Sequence, residues 1–526
     1  SHPDGGYDVK ETSSAAHFYG KPIASAEAFT GSRYYHCFAD QKNSADYAYA
    51  FGVNEFVLCA SAYQPWIDKY PGSTAGGKHY CLNRNNTYWE YSRPFWDYQA
   101  RCSALMRKGV PVVDICVYLG QNPPVKLVTY RLPEIPEGYD FDVCTAEALV
   151  GRTMAVDGRL TLPTGISYSL LVIQRNNDMP LHVLRHIAGL VKGGVIVCGP
   201  RPDGSDSLKD KAESEEYRAL VDELWGELTT VSQIRKVGKG KIYENIPLSE
   251  VLKYENIRPD IAIKSGNTAK DKVYFVHRRL SDADVYFLNN HSDRAFHDTI
   301  RLRTDARQAE YWDAVTGQRY MIPVKASGEK GMLLNLTLAP RESGFIVTSN
   351  NQATGLLPRI ADVQETITPI EGSWNVYFDP RWGGPGKVVF DELIDWTVHA
   401  DTGIRYYSGT AVYHKELNLA MPAQNERLLL RFPRLGSLAR VWVNGKEVVT
   451  VWCSPWEADI TSYVHEGKNN LKIEVVNSLM NRMIGDASLP ESERFTYAYP
   501  QIATPTDKLV PSGIMEQLNL VYRQCQ

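Results

Sequence analysis

Pro22-Ile23-Ala24-Ser25-Ala26-Glu27-Ala28-Phe29-Thr30-Gly31-Ser32 decides the reading of the first part of the chain: a short apolar run ends in a carboxylate, and a turn-like segment follows at once. A helical pattern near Asn43 to Phe51, closed by Gly52, comes next, and then a second apolar run, Glu55-Phe56-Val57-Leu58-Cys59-Ala60. A Gly- and Pro-rich loop and a helix from about Asn86 to Lys108 lead to a third run, Val110 to Tyr118. Strand and helix in alternation build parallel βα units, the material of barrels and open sheets. Three strands cannot close a (β/α)8 barrel, so as a barrel the chain begins in the middle of one.

Beyond about residue 120 the α/β character continues. Tyr168-Ser169-Leu170-Leu171-Val172-Ile173 reads as a buried strand, Leu181 to Val191 as a helix and Gly194-Val195-Ile196-Val197-Cys198 as the next strand. Gly193-Gly194 is too short for a phosphate-binding fingerprint and reads as a helix-to-strand turn. After Pro247 the hydrophobic period changes to two, as in Val273 to Arg279, Asp284 to Asn289 and Gly344 to Val347, which indicates an all-β sandwich. A polar linker, Ser349 to Gly355, precedes a second all-β block. There Asn444-Gly445 marks a type I′ hairpin turn. The fold expected is multidomain α/β plus all-β: a partial (β/α)8 barrel over 1–119, a flavodoxin-like α/β domain over 120–245, a β-sandwich over 246–350 and a jelly roll over 358–526.

A chain of 526 residues is long enough for about three or four such domains. Its 57 Lys and Arg against 61 Asp and Glu lack the basic footprint of a nucleic-acid binder. No run approaches the roughly 20 apolar residues of a membrane span, and SHPDGGYDVK is no signal peptide. The 57 aromatic residues permit a carbohydrate site, although aromatic-rich β cores account for them as well. Nine scattered cysteines without a C-x-x-C pair argue against a structural zinc site, and their odd number against a closed disulfide framework.

Glycoside hydrolysis needs two carboxyl groups across the anomeric carbon, and a barrel supplies them from the C-terminal ends of its strands. Glu27 stands at such an end. The same position also suits a solvated or salt-bridged loop residue. Asp114 lies inside its run and reads as a buried structural acid, while His17 and His36 lack metal-ligand spacing and read as hydrogen-bonded structural histidines. Tyr63 and Trp66, in the loop after the second run, suit either sugar stacking or loop packing.

These segments resemble a known family. Ser14 to Pro22 running on to Thr30, Tyr63-Gln64-Pro65-Trp66 with Pro71-Gly72, Arg84 to Trp89 and Tyr139 to Asp142 are similar to stretches of the α-L-rhamnosidases of glycoside hydrolase family 106. So are Phe378 to Pro385, Gly403 to Gly409 and Asn481 to Ala487, so the resemblance covers nearly the whole chain. It implies the second half of a (β/α)8 barrel followed by accessory α/β and β domains, the last galactose-binding-like, and inverting hydrolysis of terminal α-L-rhamnosides, from plant or algal polysaccharides or glycosides, assisted by calcium. It places Glu27 on the general base and assigns His17, Cys59, Tyr63, Trp66 and Arg84 to substrate binding. Family members commonly carry a His where this chain has Cys59, and they are about twice as long, with the general acid upstream. The implied partners are an oligosaccharide or rhamnoside and an upstream N-terminal half, in a periplasmic or secreted protein; no calcium ligand is assignable. The alternatives are a carbohydrate-binding protein or inactive fragment, or another exo-glycosidase such as a β-galactosidase.

Overall fold

The computed structural model describes residues 7–59, 62–74, 82–121, 125–127, 134–174, 178–205, 207, 210, 214–227, 231–266, 273–328, 330–351, 355–359 and 364–524. Ala60, Ser61, Cys81, Cys525 and part of the 349–357 linker lie outside them. A helix, α1 (Tyr7–Tyr19), precedes the two βα units: β1 (Ser25–Ala28), α2 (Phe38–Tyr49), β2 (Glu55–Leu58) and α3 (Arg93–Met106). β1 and β2 pair in parallel with Glu27 opposite Val57, and they form a two-stranded sheet of their own. Alternation along a strand sends successive side chains to opposite faces. Phe56 accordingly meets Tyr49 of α2, ring centroids 5.0 Å apart, while Val57 on the other face is 58% exposed. A parallel sheet is ordinarily covered on both faces. Here one face is covered by helices, and the face that carries Glu27 and Val57 is open.

Val110 to Tyr118 does not form a third strand beside β2. Val110–Pro111 instead pairs antiparallel with Arg278 and Arg279 at the edge of a later sheet, and Ile115–Tyr118 enters a six-stranded sheet. The physical reason is that a strand buried on both faces reads as one apolar run wherever it is used. All four residues of Ile115–Tyr118 are buried. The sheet order is 233–237, 240–244, 196–198, 170–173, 115–118, 141–144, parallel except for the first strand.

The domain limits move as well. Leu248–Tyr254 is a helix whose Leu248, Val251 and Leu252 share a core with Ile115 and Val117. The α/β unit therefore takes in the segment from about 113 to 257, not 120 to 245. Pro247 misled because proline is tolerated at a helix start as readily as it breaks one.

Two all-β units follow. The first pairs a four-stranded with a six-stranded antiparallel sheet around Leu288, Ile300, Leu334 and Ile346. Along Met332–Leu338 buried and half-buried residues alternate strictly, the signature of one face inward. The second, from Glu365 to Gln524, again pairs four strands with six, around Trp374, Trp396, Tyr413 and Ile473. Its Asn444 and Gly445 have φ of 52° and 77°, as a type I′ turn requires. Among the described residues no α-helix falls within 273–349, no helix is long and apolar enough to cross a membrane, and Cys37, Cys59, Cys102, Cys116, Cys144, Cys198 and Cys453 are free thiols.

A buried charge cluster joins the α/β unit to the first sandwich. His277 Nδ1 lies 2.9 Å from Asp260 and Nε2 3.0 Å from Asp284, with the Tyr286 ring stacked on the imidazole. Arg303 forks onto Asp114 at 2.9 and 2.7 Å, so Asp114 is the structural acid its place inside the run suggests. Burial alone would lower the His277 pKa, but the two carboxylates hold it above the ordinary 6.5. A raised histidine pKa contributes stability that is complete below the unfolded value and is lost as pH rises through the folded one. Urea midpoints should therefore fall as pH rises above 6.5, and His277→Gln should flatten that limb. An unchanged limb in the variant would assign the dependence to another group.

Candidate functional site

Glu27 is the third of the four residues of β1, and the chain turns immediately afterwards: Phe29 has φ of 64° and Ser32 N–H donates to Phe29 O at 2.8 Å. Phe29 holds that turn against Phe56 and Phe95, at 5.8 and 6.1 Å between centroids. The Glu27 side chain is exposed, and its Oε1 accepts the Thr30 hydroxyl at 2.7 Å. No described cation forms an ion pair with it. A strand-end glutamate serving as a salt-bridge strut would have such a partner. Its neighbour on the open face is Val57, and Cys59, two residues on, follows the same alternation; Cys59 is half-buried, and its N–H donates to Ala28 O at 3.2 Å.

The loop after β2 is held from within and from the far end of the chain. Gln64 acts as an internal clamp: its amide donates to Pro71 O and Ser73 O at 3.2 and 2.7 Å and accepts from Ser73 N–H at 2.9 Å. Gly72 makes this possible, having φ of +74° and no room for a Cβ, which would stand 2.4 Å from Gln64 Oε1. Pro71–Ser73 is a strand, β3, and it pairs in parallel with Tyr497–Tyr499 of the last domain. The C-terminal unit thus reaches back to the loop that follows β2.

The residues assigned to substrate binding divide. Tyr63 is 83% exposed on that loop. Trp66 is braced edge-on by Tyr497 at 5.1 Å, with Lys69 over both rings. Arg84 donates to Gln64 O and Trp66 O at 3.2 and 3.3 Å, so it ties the loop down. His17 is committed elsewhere: its Nδ1 lies 2.8 Å from Asp142, which also accepts from Tyr168 and Ser14, with Lys10 at 3.7 Å. Burial alone would raise the Asp142 pKa, but His17 and Lys10 hold it well below the usual carboxylate range. The His17–Asp142 hydrogen bond and the Lys10 and Ser14 contacts to the same carboxylate tie α1 to the α/β unit. His36 accepts from Arg33 N–H at 2.8 Å and shapes the turn before α2.

Sequence reasoning missed Asp486. Only 1% exposed, it accepts from Phe495 N–H, Thr496 N–H and the Thr496 hydroxyl at 3.0, 2.7 and 2.6 Å, and it positions the segment that grips β3. Its i,i+4 partner Arg482, at 2.9 Å, is a local pattern, but the Phe495 and Thr496 donors follow it by nine and ten residues, beyond any such pattern. Among the described residues no three Asp, Glu, His or Cys side chains converge as metal ligands. A cleft of about 1430 Å³ lies between the two all-β units, away from Glu27. Its Arg431, Arg523, Glu365 and Glu457 neutralise one another, which leaves the smaller, open Glu27 face as the better candidate for chemistry.

The family model for the α-L-rhamnosidases of glycoside hydrolase family 106 matches residues 4–325, and that for the sugar-binding domain of glycosyl hydrolases family 2 matches 361–522. The structure of a rhamnosidase from Novosphingobium sp. PP1Y is 28% identical with a TM-score of 0.88; the match takes in 98% of this chain and 49% of that one. A Formosa agariphila protein provisionally named a β-glucuronidase is 24% identical, over 92% of this chain and 60% of the relative. The chain thus spans about half the length of the rhamnosidase it matches.

Proposed function

Since the chain belongs to the α-L-rhamnosidases of glycoside hydrolase family 106, we propose that it forms the base-bearing half of an inverting active site for terminal α-L-rhamnosides of plant or algal polysaccharides or glycosides. The observation that carries this reading is Glu27 itself: a carboxylate at the C-terminal end of a parallel strand, without a cation partner among the described residues, on the one sheet face left open. In the reaction, Glu27 takes a proton from a water as that water's oxygen attacks the anomeric carbon. The leaving oxygen receives a proton from a carboxylic acid on the opposite side of the sugar, supplied by an upstream half. The Thr30 hydroxyl steadies one carboxylate oxygen and leaves the other for water. Tyr63 offers a ring face to the substrate, and Cys59, smaller than an imidazole and a poorer hydrogen-bond donor, alters the contact made at its position.

The finer fold assignments accord with this. The two βα units belong to the C-terminal half of a (β/α)8 barrel whose other strands this chain does not supply, and Glu27, Val57 and Cys59 line its interior. In chain order the parallel strands of the large sheet lie 2-1-3-4-5, the flavodoxin-like order. The last unit is a jelly-roll, galactose-binding-like domain, and the whole enzyme works in the periplasm or outside the cell. The test is a panel of aryl glycosides given to the completed enzyme. An α-L-rhamnoside should exceed a β-D-glucuronide and a β-D-galactoside in kcat/KM by at least about a hundredfold. Preference for the glucuronide would transfer the chain to the activity in the Formosa relative's name.

A further inference from the structure

Tyr497–Tyr499 is an unusual strand: three residues of the last domain, added in parallel to β3 at the far end of the chain, with Tyr497 opposite Pro71 and Tyr499 opposite Ser73. Both sides of the segment are fixed. Buried Asp486 accepts the Phe495 and Thr496 donors on one side. On the other, Tyr497 N–H donates to Tyr70 O at 2.8 Å, Thr74 N–H to Tyr499 O at 2.9 Å, and the Thr74 hydroxyl to Pro500 O at 2.8 Å. Alternation places the two tyrosine rings on the same side of the strand. The ring of Tyr497 is spent as a brace, edge to Trp66 and under the Lys69 ammonium 4.0 Å from its centroid. The ring of Tyr499 is 65% exposed and touches no other described ring.

An exposed tyrosine is common, but a tyrosine on a backbone held at five points, paired to β3 in the loop that follows β2, has a specific use. A tyrosine ring gives a large, rigid, amphipathic contact surface at low entropic cost, because only two torsions need fixing. Pyranose rings present C–H faces to such a surface and hydroxyls to its edge. We propose that Tyr499 is a platform for a pyranose ring of the substrate beyond the rhamnose that is released, so that the C-terminal domain contributes directly to recognition. The inference rests on the glycosidase reading for the identity of its ligand. It adds to that reading a subsite built from the last domain.

The 526-residue chain carries every residue of this platform, so binding is measurable without turnover. The experiment is calorimetric titration of the chain with a neutral trisaccharide ending in α-L-rhamnose, and with free L-rhamnose. Tyr499→Ala should raise the Kd for the trisaccharide about tenfold, and Tyr499→Phe, which keeps the ring, should stay within about twofold. Affinity for L-rhamnose should be the same in all three proteins, and the exposed position should leave Tm within about 2 °C. Equal trisaccharide affinity for the wild type and Tyr499→Ala would overturn the proposal, as would no binding by the wild-type chain. A completed enzyme that releases no rhamnose, combined with Tyr499-dependent binding, would sink the hydrolytic reading and leave the platform standing.

Discussion

Glu27→Gln in the completed enzyme is expected to lower kcat by at least about a hundredfold while KM stays within a few-fold, because the amide keeps the shape of the carboxylate and loses the proton acceptor. The local structure makes this substitution unusually clean. Glu27 forms no ion pair with a described cation, so none is broken. The Thr30 hydroxyl can still donate to the amide oxygen, and the turn at Phe29 is held by Phe56 and Phe95, not by the carboxylate. Stability should therefore change by less than about 0.5 kcal/mol, the range of ordinary surface substitutions. Activity would then fall without any matching fall in folded protein. A strut glutamate makes the reverse forecast: early melting, with normal kcat per folded molecule. That outcome would remove Glu27 from the mechanism.

Much of the fold was legible because its signals are local. The period-two strands after residue 270 and the Asn444-Gly445 turn each depend on a handful of neighbouring residues. What misled was information that resides in pairing. Val110 to Tyr118 is one apolar run in sequence but serves two sheets, with its break at Val112 to Asp114 enforced by Arg303 gripping Asp114 from 189 residues away. Pro247 looked like an ending and is instead the first residue of a helix cap.

At the site, the place of Glu27 was readable from a strand end and a turn, both local. His17 was readable as a hydrogen-bonded structural histidine, but its partner was not, since Asp142 reaches it across 125 positions of chain. The tie that Arg84 makes to the loop carbonyls of Gln64 and Trp66 was not legible either, because a guanidinium's partners cannot be read from its neighbours in sequence. The grip of Asp486 and Tyr497–Tyr499 on β3 joins segments about 420 residues apart. No periodicity reports such a contact.

The central claim is that this chain holds the base of the site and not its acid, and assay of the purified 526-residue chain tests it most directly. An inverting mechanism needs a protonated carboxyl on the leaving-group side, and losing general-acid help alone costs on the order of 10² to 10⁴ in rate. The open face beside Glu27 would also leave the sugar without the opposite wall that positions it, a further loss. Release of the aryl group from an aryl α-L-rhamnoside should therefore be negligible for this chain at any calcium concentration, and should appear only when the segment carrying the remaining strands is supplied. Robust turnover by the 526-residue chain, with no second polypeptide on a gel, would contradict the account and place the acid among the residues already described.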